Sequence, residues 1–360
     1  MNGITYTLAV FATLGAIDRI FGNRFGLGKE FERGFELLGA LVFAMLGMMV
    51  VSPVIASLIR PALEALPLEP SAIIGALFAC DNGGAPLCLE VARDPSLGYF
   101  NGLIVASMMG CTVCFTIPFS LSVVEKKHHQ EVLLGLLCGI ITIPVGCFAA
   151  GLFLGIPIGT LLLDLLPLII FSLLIGFGLW KFPDKAVKVF AVFGEFIKLI
   201  LAVGLWLAVF KVLTGIEILP GMASVEENAW IIFYSAVVMT GAFPLIYLVS
   251  RILKKPLSLL GKKLSVSTES VTGLLSTLGT SITTFGNMKD MDKKGIVLNS
   301  AFAVSAAFVF TDHMAFTMAF QNSYVGGVIL GKLVSAIPAV LLATVMYKKV
   351  NKQKEEGEWE

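Results

Sequence analysis

The sequence predicts an all-α polytopic membrane protein with about 9–11 transmembrane segments, forming an inverted-topology repeat with two interrupted, re-entrant helical hairpins. Three observations predict this fold. Hydrophobic residues make up 57% of the 360 residues and charged residues 14%, whereas a soluble domain carries about 25% charged residues. Apolar runs of membrane-spanning length recur along the whole chain. Two further runs of that kind are interrupted by glycine and small polar residues.

The uninterrupted runs are each long and charge-poor enough for one helix to cross the hydrocarbon core of a bilayer. These nine runs cover residues 3–22, 35–59, 98–124, 132–155, 159–180, 187–213, 229–253, 295–320 and 324–347. A soluble fold would have too few polar side chains to cover its surface, so the lipid bilayer is the expected environment. The net charge of +1 provides no field that would favour nucleic acid as a partner.

The two interrupted runs cover residues 71–92 and 270–288. The first contains ACDNGGAP (79–86), and the second contains GTSITTFGN (279–287). Each unpaired backbone group in hydrocarbon costs several kcal/mol, so non-helical backbone at that depth must be buried in protein or line a wet cavity. These two runs are therefore the expected sites of chemistry.

Loop charges predict the topology, because cytoplasmic loops carry an excess of Lys and Arg. Loops 23–34, 125–131, 181–188, 254–268 and 289–294 and the tail 348–360 each contain at least two basic residues. Because the loops on both sides of 270–288 are basic and therefore cytoplasmic, that run is predicted to be a re-entrant hairpin that enters from the cytoplasm. The sides assigned to the remaining loops then require 71–92 to be re-entrant from outside. The chain is then a multi-pass cell-membrane protein with an external N-terminus and a cytoplasmic C-terminus. Eleven plain spans are the alternative, but they place one basic loop outside.

An internal repeat relates the two interrupted runs. Identical residues lie 198 positions apart at Gly75 and Gly273, Asp94 and Asp292, Asn101 and Asn299, and Ser107 and Ser305. The predicted organisation is a first repeat (1–155), a linker helix (156–186), a second repeat of opposite orientation (187–347) and a cytoplasmic tail (348–360). Secondary transporters with inverted repeats place their site where broken helices meet near the midplane.

Asp81 is the most informative residue, since an ionisable group in a transmembrane segment is a functional hypothesis by default. Beside Asn82 and two glycines it can hold a cationic solute or a coupling ion, or it can cap the hairpin by accepting backbone N–H groups. Asp312 and His313 follow the second hairpin. They indicate a site or a proton relay, with a structural ion pair to Lys332 as the alternative.

Neutral polar residues complete the predicted substrate-binding set. Thr280, Ser281 and Asn287 line a polar path or join helices by hydrogen bonds. Asn101 and Asn299 act either at the site or as helix caps. Asp164 is expected to pair near the membrane interface.

No enzyme or cofactor chemistry is predicted. The chain has neither an HExxH nor a GxSxG sequence. Cys111 and Cys114 form a lone CxxC without the further ligands of a zinc site, and the six cysteines are expected to be buried small apolar residues. Catalytic residues, metals and cofactors are therefore not expected.

Four stretches carry a resemblance to a known family: ACDNGGAP (79–86), NGLIVASMMG (101–110), TSITTFGNMKDMDKKG (280–295) and FTDHMAF (310–316). With the length and the order of segments, they resemble the ethanolamine-utilization membrane proteins, the ethanolamine permeases of the EutH type. The resemblance covers the whole chain and implies a permease that imports ethanolamine, or a similar small cationic amine, for catabolism. An ion-coupled carrier of another small polar solute, such as a nucleoside, is the alternative, and the sequence leaves a homo-oligomer open.

Overall fold

A computed structural model describes residues 3–357 as helices joined by short turns, with no strand in that range. The predicted all-α fold class is confirmed. Up to residue 153 the helices are α1 (Gly3–Ile20), α2 (Leu27–Glu64), α3 (Pro70–Leu77), α4 (Ala85–Val91), α5 (Pro95–Val123) and α6 (His129–Phe153). They are followed by α7 (Ile158–Lys181), α8 (Pro183–Thr214), α9 (Val225–Leu264), α10 (Thr268–Gly279), α11 (Ser281–Gly286), α12 (Lys293–Ala306), α13 (Asp312–Gln321) and α14 (Val325–Gly357).

Seven stretches of the described chain are helical, long and apolar enough to cross a membrane. They are Leu27–Glu64, Pro95–Val123, Lys126–Phe153, Ile158–Lys181, Pro183–Thr214, Val225–Leu253 and Asp312–Lys352. The predicted span 3–22 forms α1, which carries Asp18 and Arg19 near its end and is not among the seven. The outer helices α7 and α8 expose side chains such as Leu163, Val192 and Leu213, as expected for a multi-pass protein in lipid.

The predicted uninterrupted span 295–320 is wrong, because the helix breaks between Ala306 and Asp312. Phe308 adopts a left-handed φ of 61°, which is uncommon for a bulky residue and marks a constrained site. The freed backbone pairs with the end of α10: Phe308 N–H donates to Thr277 O (3.2 Å) and Phe310 N–H to Leu278 O (3.1 Å). The break is thus a tertiary feature, held by the second interrupted run.

Two predicted non-helical segments are largely helical. Helix α9 continues to Leu264 and covers most of the predicted loop 254–268. Helix α14 continues to Gly357 through most of the predicted tail, and residues 358–360 lie outside the described range. Lys and Leu dominate the first stretch and Lys and Glu the second, and these residues have high helix propensity.

The first helix of each interrupted run packs against the helix that follows the run. Helix α3 packs against α5, and α10 packs against α12. A Cβ at Gly75 would lie 2.5 Å from Asn101 O, and a Cβ at Gly273 would lie 2.5 Å from Asn299 Oδ1. Each contact joins residues 26 positions apart, and the two contacts lie 198 positions apart in the chain, the spacing of the predicted internal repeat. The division into inverted repeats and the re-entrant path of each run stay predictions.

Candidate functional site

Asp81 lies in the turn Cys80–Gly84, between α3 and α4, and is only 8% exposed. The turn depends on Gly83, whose φ is +88° and whose Cβ, if present, would lie 1.8 Å from Cγ of Met48 on α2. A side chain at position 83 is excluded both by backbone conformation and by space. The sequence ACDNGGAP thus fixes a buried carboxyl group at a helix interruption.

The break before α13 brings a second carboxyl group to the first. Cys80–Gly84 packs against α13, which begins at Asp312. The carboxyl groups of Asp81 and Asp312 lie close enough to interact electrostatically. Asp312 is half-buried. Two helix interruptions, far apart in sequence, therefore build one acidic pair.

A buried basic pair lies beside the acidic pair. Lys332 on α14 is fully buried, and its Nζ donates to Ser107 O (2.7 Å) and to His313 Nδ1 (2.9 Å). The alternative of an ion pair between Asp312 and Lys332 is not found: within residues 3–357, the ion pairs shorter than 4.0 Å involve neither carboxyl group of the acidic pair. The ammonium is held by neutral acceptors instead.

The charges of this cluster leave one negative charge when Asp81, Asp312 and Lys332 are all ionised. Two buried oxygen atoms there, Asn82 Oδ1 and Asp312 Oδ1, have no hydrogen-bond partner among the described residues. Buried charges and polar groups are costly unless they are paired. The cluster is therefore suited to receive one positive charge that also donates hydrogen bonds.

A metal ion is a weaker match than an organic cation. Possible ligand atoms of Cys80, Asp81 and His313 lie within 4.8 Å of one another. However, His313 already accepts a hydrogen bond from the Lys332 ammonium, and that positive charge would repel a metal ion held by the same imidazole. A ligand that carries its own N–H donors can hydrogen-bond directly to the unpaired oxygens of Asn82 and Asp312.

The second interrupted run contributes its tip to this region. Thr311, the residue before Asp312, donates from Oγ1 to Gly279 O (2.5 Å), the last residue of α10. Thr280 caps α11 by accepting from Ile282 N–H (3.3 Å). Ser281 is fully buried, and its hydroxyl has no partner within the described range. Asn287, by contrast, is exposed at the end of α11.

Asn101 and Asn299 do not act as helix caps. Each lies inside its helix, and the caps are Asp94, which accepts from Ser96 N–H, and Asp292, which accepts from Gly295 N–H. Asn299 Nδ2 donates to the backbone oxygens of Ser270 (2.8 Å) and Gly295 (2.9 Å). The predicted caps are therefore wrong at both positions.

Asn101 is tied to the linker helix. Its Nδ2 donates to Ser71 Oγ (3.0 Å) and to Asp164 Oδ1 (2.9 Å). Asp164 is 3% exposed, so its predicted pairing near the interface is replaced by a buried contact with an amide. Of the predicted site residues, the structure joins Asp81, Asn82 and Asp312 in one cluster and places the tip carrying Thr280 and Ser281 beside it. Binding roles for all eight stay predictions.

Sequence reasoning missed the contact between His313 and Lys332 and the contact between Asn101 and Asp164. One signal for the first was available: Lys332 is the only charged residue between positions 325 and 347, and lone charges in spans are usually functional. The cysteines are as expected: all six are free, and all but the half-buried Cys114 are buried.

The comparisons with known proteins agree on one family. The family described as "Ethanolamine utilisation protein, EutH" matches residues 2–346. The chain is 39% identical over 360 residues to the "Probable ethanolamine permease EutH" of Listeria monocytogenes, covering 98% of this chain and 96% of that protein. It is 36% identical over 388 residues to the protein of the same name in Salmonella typhimurium, covering 96% and 95%. No solved structure matches the chain.

A further relative is the "Uncharacterized protein YxeR" of Bacillus subtilis, which is 35% identical over 349 residues, covering 96% of this chain and 94% of that protein. Each of these matches runs over nearly the full length of both partners. The similarity therefore includes both interrupted runs and the break before α13.

Proposed function

Because this chain belongs to the EutH family of ethanolamine utilisation proteins, which are permease-type membrane transporters and not enzymes, we propose that it imports ethanolamine or a similar small primary amine. The amine enters as its ammonium cation and is bound between Asp81 and Asp312. The relatives named as probable ethanolamine permeases support the substrate class.

The acidic pair without an ion-pair partner is the observation that carries this proposal. A primary ammonium has one positive charge and three N–H donors. It matches the net negative charge of the cluster, and its donors match the unpaired Asp312 Oδ1 and Asn82 Oδ1. The hydroxyl of ethanolamine needs a polar partner, which the unpaired Ser281 hydroxyl at the tip of the second run can provide.

The two interruptions support a transport cycle of the alternating-access type. The first interrupted run carries Asp81, and the second holds the break that positions Asp312. A movement of one repeat (1–155) against the other (187–347) would separate the two carboxyl groups and open the amine to one side of the membrane. In this proposal the N-terminus is external and the C-terminus cytoplasmic, and eleven plain spans stay the alternative topology.

Uptake of labelled ethanolamine into proteoliposomes tests the proposal. We expect saturable uptake by the wild type and at least about a tenfold loss in Asp81→Asn, because a hydrogen bond to a charged group contributes about 1.5–3 kcal/mol. Glu195→Gln is the matched control, since Glu195 is exposed and, among the described residues, pairs only with Lys198 on the same helix. Choline, whose nitrogen has no N–H donor, should compete weakly.

Two results would contradict the proposal. Absence of saturable ethanolamine uptake by folded wild type would remove the substrate assignment, and competition by nucleosides would then favour the alternative carrier. Unchanged uptake by Asp81→Asn would return Asp81 to the role of a hairpin cap.

A further inference from the structure

A second buried carboxyl group lies outside the acidic pair, on the linker helix α7. Asp164 is 3% exposed and contacts the first interrupted run through Asn101. Asn101 in turn donates to Ser71 on α3. The three side chains thus connect the linker helix, the first hairpin and α5.

The hydrogen bonds of this network are incomplete in a specific way. Asp164 Oδ1 accepts from Asn101 Nδ2, but Asp164 Oδ2 is buried and has no partner among residues 3–357. The same holds for Asn101 Oδ1. A carboxylate offers only acceptors, and an amide oxygen offers only an acceptor. One proton on Asp164 Oδ2 would add the missing donor, since a carboxylic acid and a primary amide can form two complementary hydrogen bonds.

The surrounding charges also favour a proton over a salt bridge. The ionisable groups that act on Asp164 are the carboxyl groups of Glu69 before α3 and Asp94 before α5, with the thiols of Cys88 on α4 and Cys147 on α6. None of these groups can carry a positive charge. An ionised Asp164 would therefore be a buried charge with a single hydrogen bond, which is among the costliest arrangements in a protein.

We propose that Asp164, paired with Asn101, is a proton-binding site, and that transport is linked to release and rebinding of this proton. When α3 and α4 separate from α7, water reaches Asp164, the proton leaves Oδ2 for that water, and the carboxylate keeps the electron pair. Rebinding of one proton from water neutralises the carboxylate and allows the buried pair to re-form. The cycle needs no further reactant, and it uses a site separate from the one proposed for the amine.

The second half of the chain provides an internal contrast. Asn299 is the repeat equivalent of Asn101, but its Nδ2 donates to two backbone oxygens and no carboxyl group contacts it among the described hydrogen bonds. Asn299 Oδ1 is also unpaired, so an unpaired amide oxygen alone does not mark a proton site. What distinguishes Asn101 from Asn299 is the carboxyl group that it contacts, Asp164, whose Oδ2 has no partner among the described residues.

Infrared difference spectroscopy of the purified protein tests protonation without reference to any substrate. We expect the C=O band of a protonated carboxylic acid at neutral pH in the wild type, and loss of part of that band in Asp164→Asn. The amide of Asn occupies the same volume and can still pair with Asn101, so the variant should fold. A wild-type spectrum that does not change in Asp164→Asn would overturn the proton site, whichever solute the protein carries.

Transport in proteoliposomes with an internal pH dye tests the linkage. In the wild type we expect labelled ethanolamine uptake to move protons at a fixed ratio, and an imposed pH gradient to drive accumulation. In Asp164→Asn the amine should equilibrate without proton movement or accumulation, whereas Glu195→Gln should behave as the wild type. Wild-type uptake without proton movement would overturn the linkage while leaving the proposed amine transport intact. Wild-type protein that takes up no ethanolamine would contradict the proposed function, and the infrared result would still decide the proton site.

Discussion

The two interrupted runs are built alike but carry different chemistry. In each, a serine at the start of the hairpin contacts an asparagine of the following helix: Ser71 with Asn101, and Ser270 with Asn299. An aspartate then caps that following helix in both. The first run, however, turns through Gly83 and presents a carboxyl group, whereas the second turns at Thr280 and presents hydroxyls.

This difference assigns separate tasks to the two runs. In the proposed function, the charge for a cationic solute would come from Asp81 in the first run and from Asp312, which follows the break. The second run contributes no charge at its tip. Its role is to hold the break through Thr277, Leu278 and Gly279 and to offer neutral polar groups. The shared scaffold can therefore be tested separately from the chemistry that the two runs do not share.

The largest effect is expected from an alanine substitution at the turn of the first run, and the equivalent test at the second run should have a smaller effect. Gly83→Ala should destabilise the protein by about 3 kcal/mol or more, since it combines a strained left-handed residue with a steric clash. The added Cβ would lie 1.8 Å from Met48 Cγ, whereas a Cβ at Gly279 meets nothing nearer than 3.6 Å. Thermal unfolding in detergent compares Gly83→Ala with Gly279→Ala. Equal losses in the two variants would contradict the geometric difference.

The next largest effect compares the loss of uptake on removing a charged group with the loss on removing a hydroxyl group. Asp312→Asn should reduce ethanolamine uptake at least about tenfold, because it removes a charged hydrogen-bond acceptor. Ser281→Ala should cost less, about two- to tenfold, since a neutral hydrogen bond contributes about 0.5–1.5 kcal/mol. Initial uptake rates in proteoliposomes over a range of ethanolamine concentrations measure both. A larger loss in Ser281→Ala than in Asp312→Asn would reverse the assignment of tasks.

The sequence predicted what depends on local pattern and missed what depends on distant partners. Long apolar runs predicted the fold class. ACDNGGAP predicted a buried carboxyl group at an interruption, because glycines let the chain turn there and an ionisable residue within a span faces the protein interior. The break at 307–311 was missed, since AFVFT contains neither glycine nor proline and is held open by α10. The pairs His313–Lys332 and Asn101–Asp164 join residues 19 and 63 positions apart, and no local pattern indicates which side chains will meet.

The smallest expected effect concerns the two aspartate caps, which differ in burial and in the number of hydrogen-bond donors. Asp94 accepts from the N–H and hydroxyl of Ser96, both at 2.8 Å. Asp292 accepts from Ser267 N–H (2.7 Å), Ser270 Oγ (2.7 Å) and Gly295 N–H (2.9 Å). Burial acts to raise the pKa of Asp292, but the donors from Ser267, Ser270 and Gly295 together hold that pKa below its ordinary value. The folded protein therefore binds this proton less readily than the unfolded chain does.

Asp292→Ala should accordingly cost about 1 kcal/mol of stability near neutral pH, the usual contribution of a helix cap. A lowered folded pKa stabilises the protein above the pKa of the unfolded side chain, about 3.9, and this stabilisation is lost as pH falls through the lower folded value. The melting temperatures of the wild type and Asp292→Ala should thus converge in acid. A gap between wild type and Asp292→Ala that stays constant across the acidic range would mean that Asp292 stabilises the turn through packing and not through its charge.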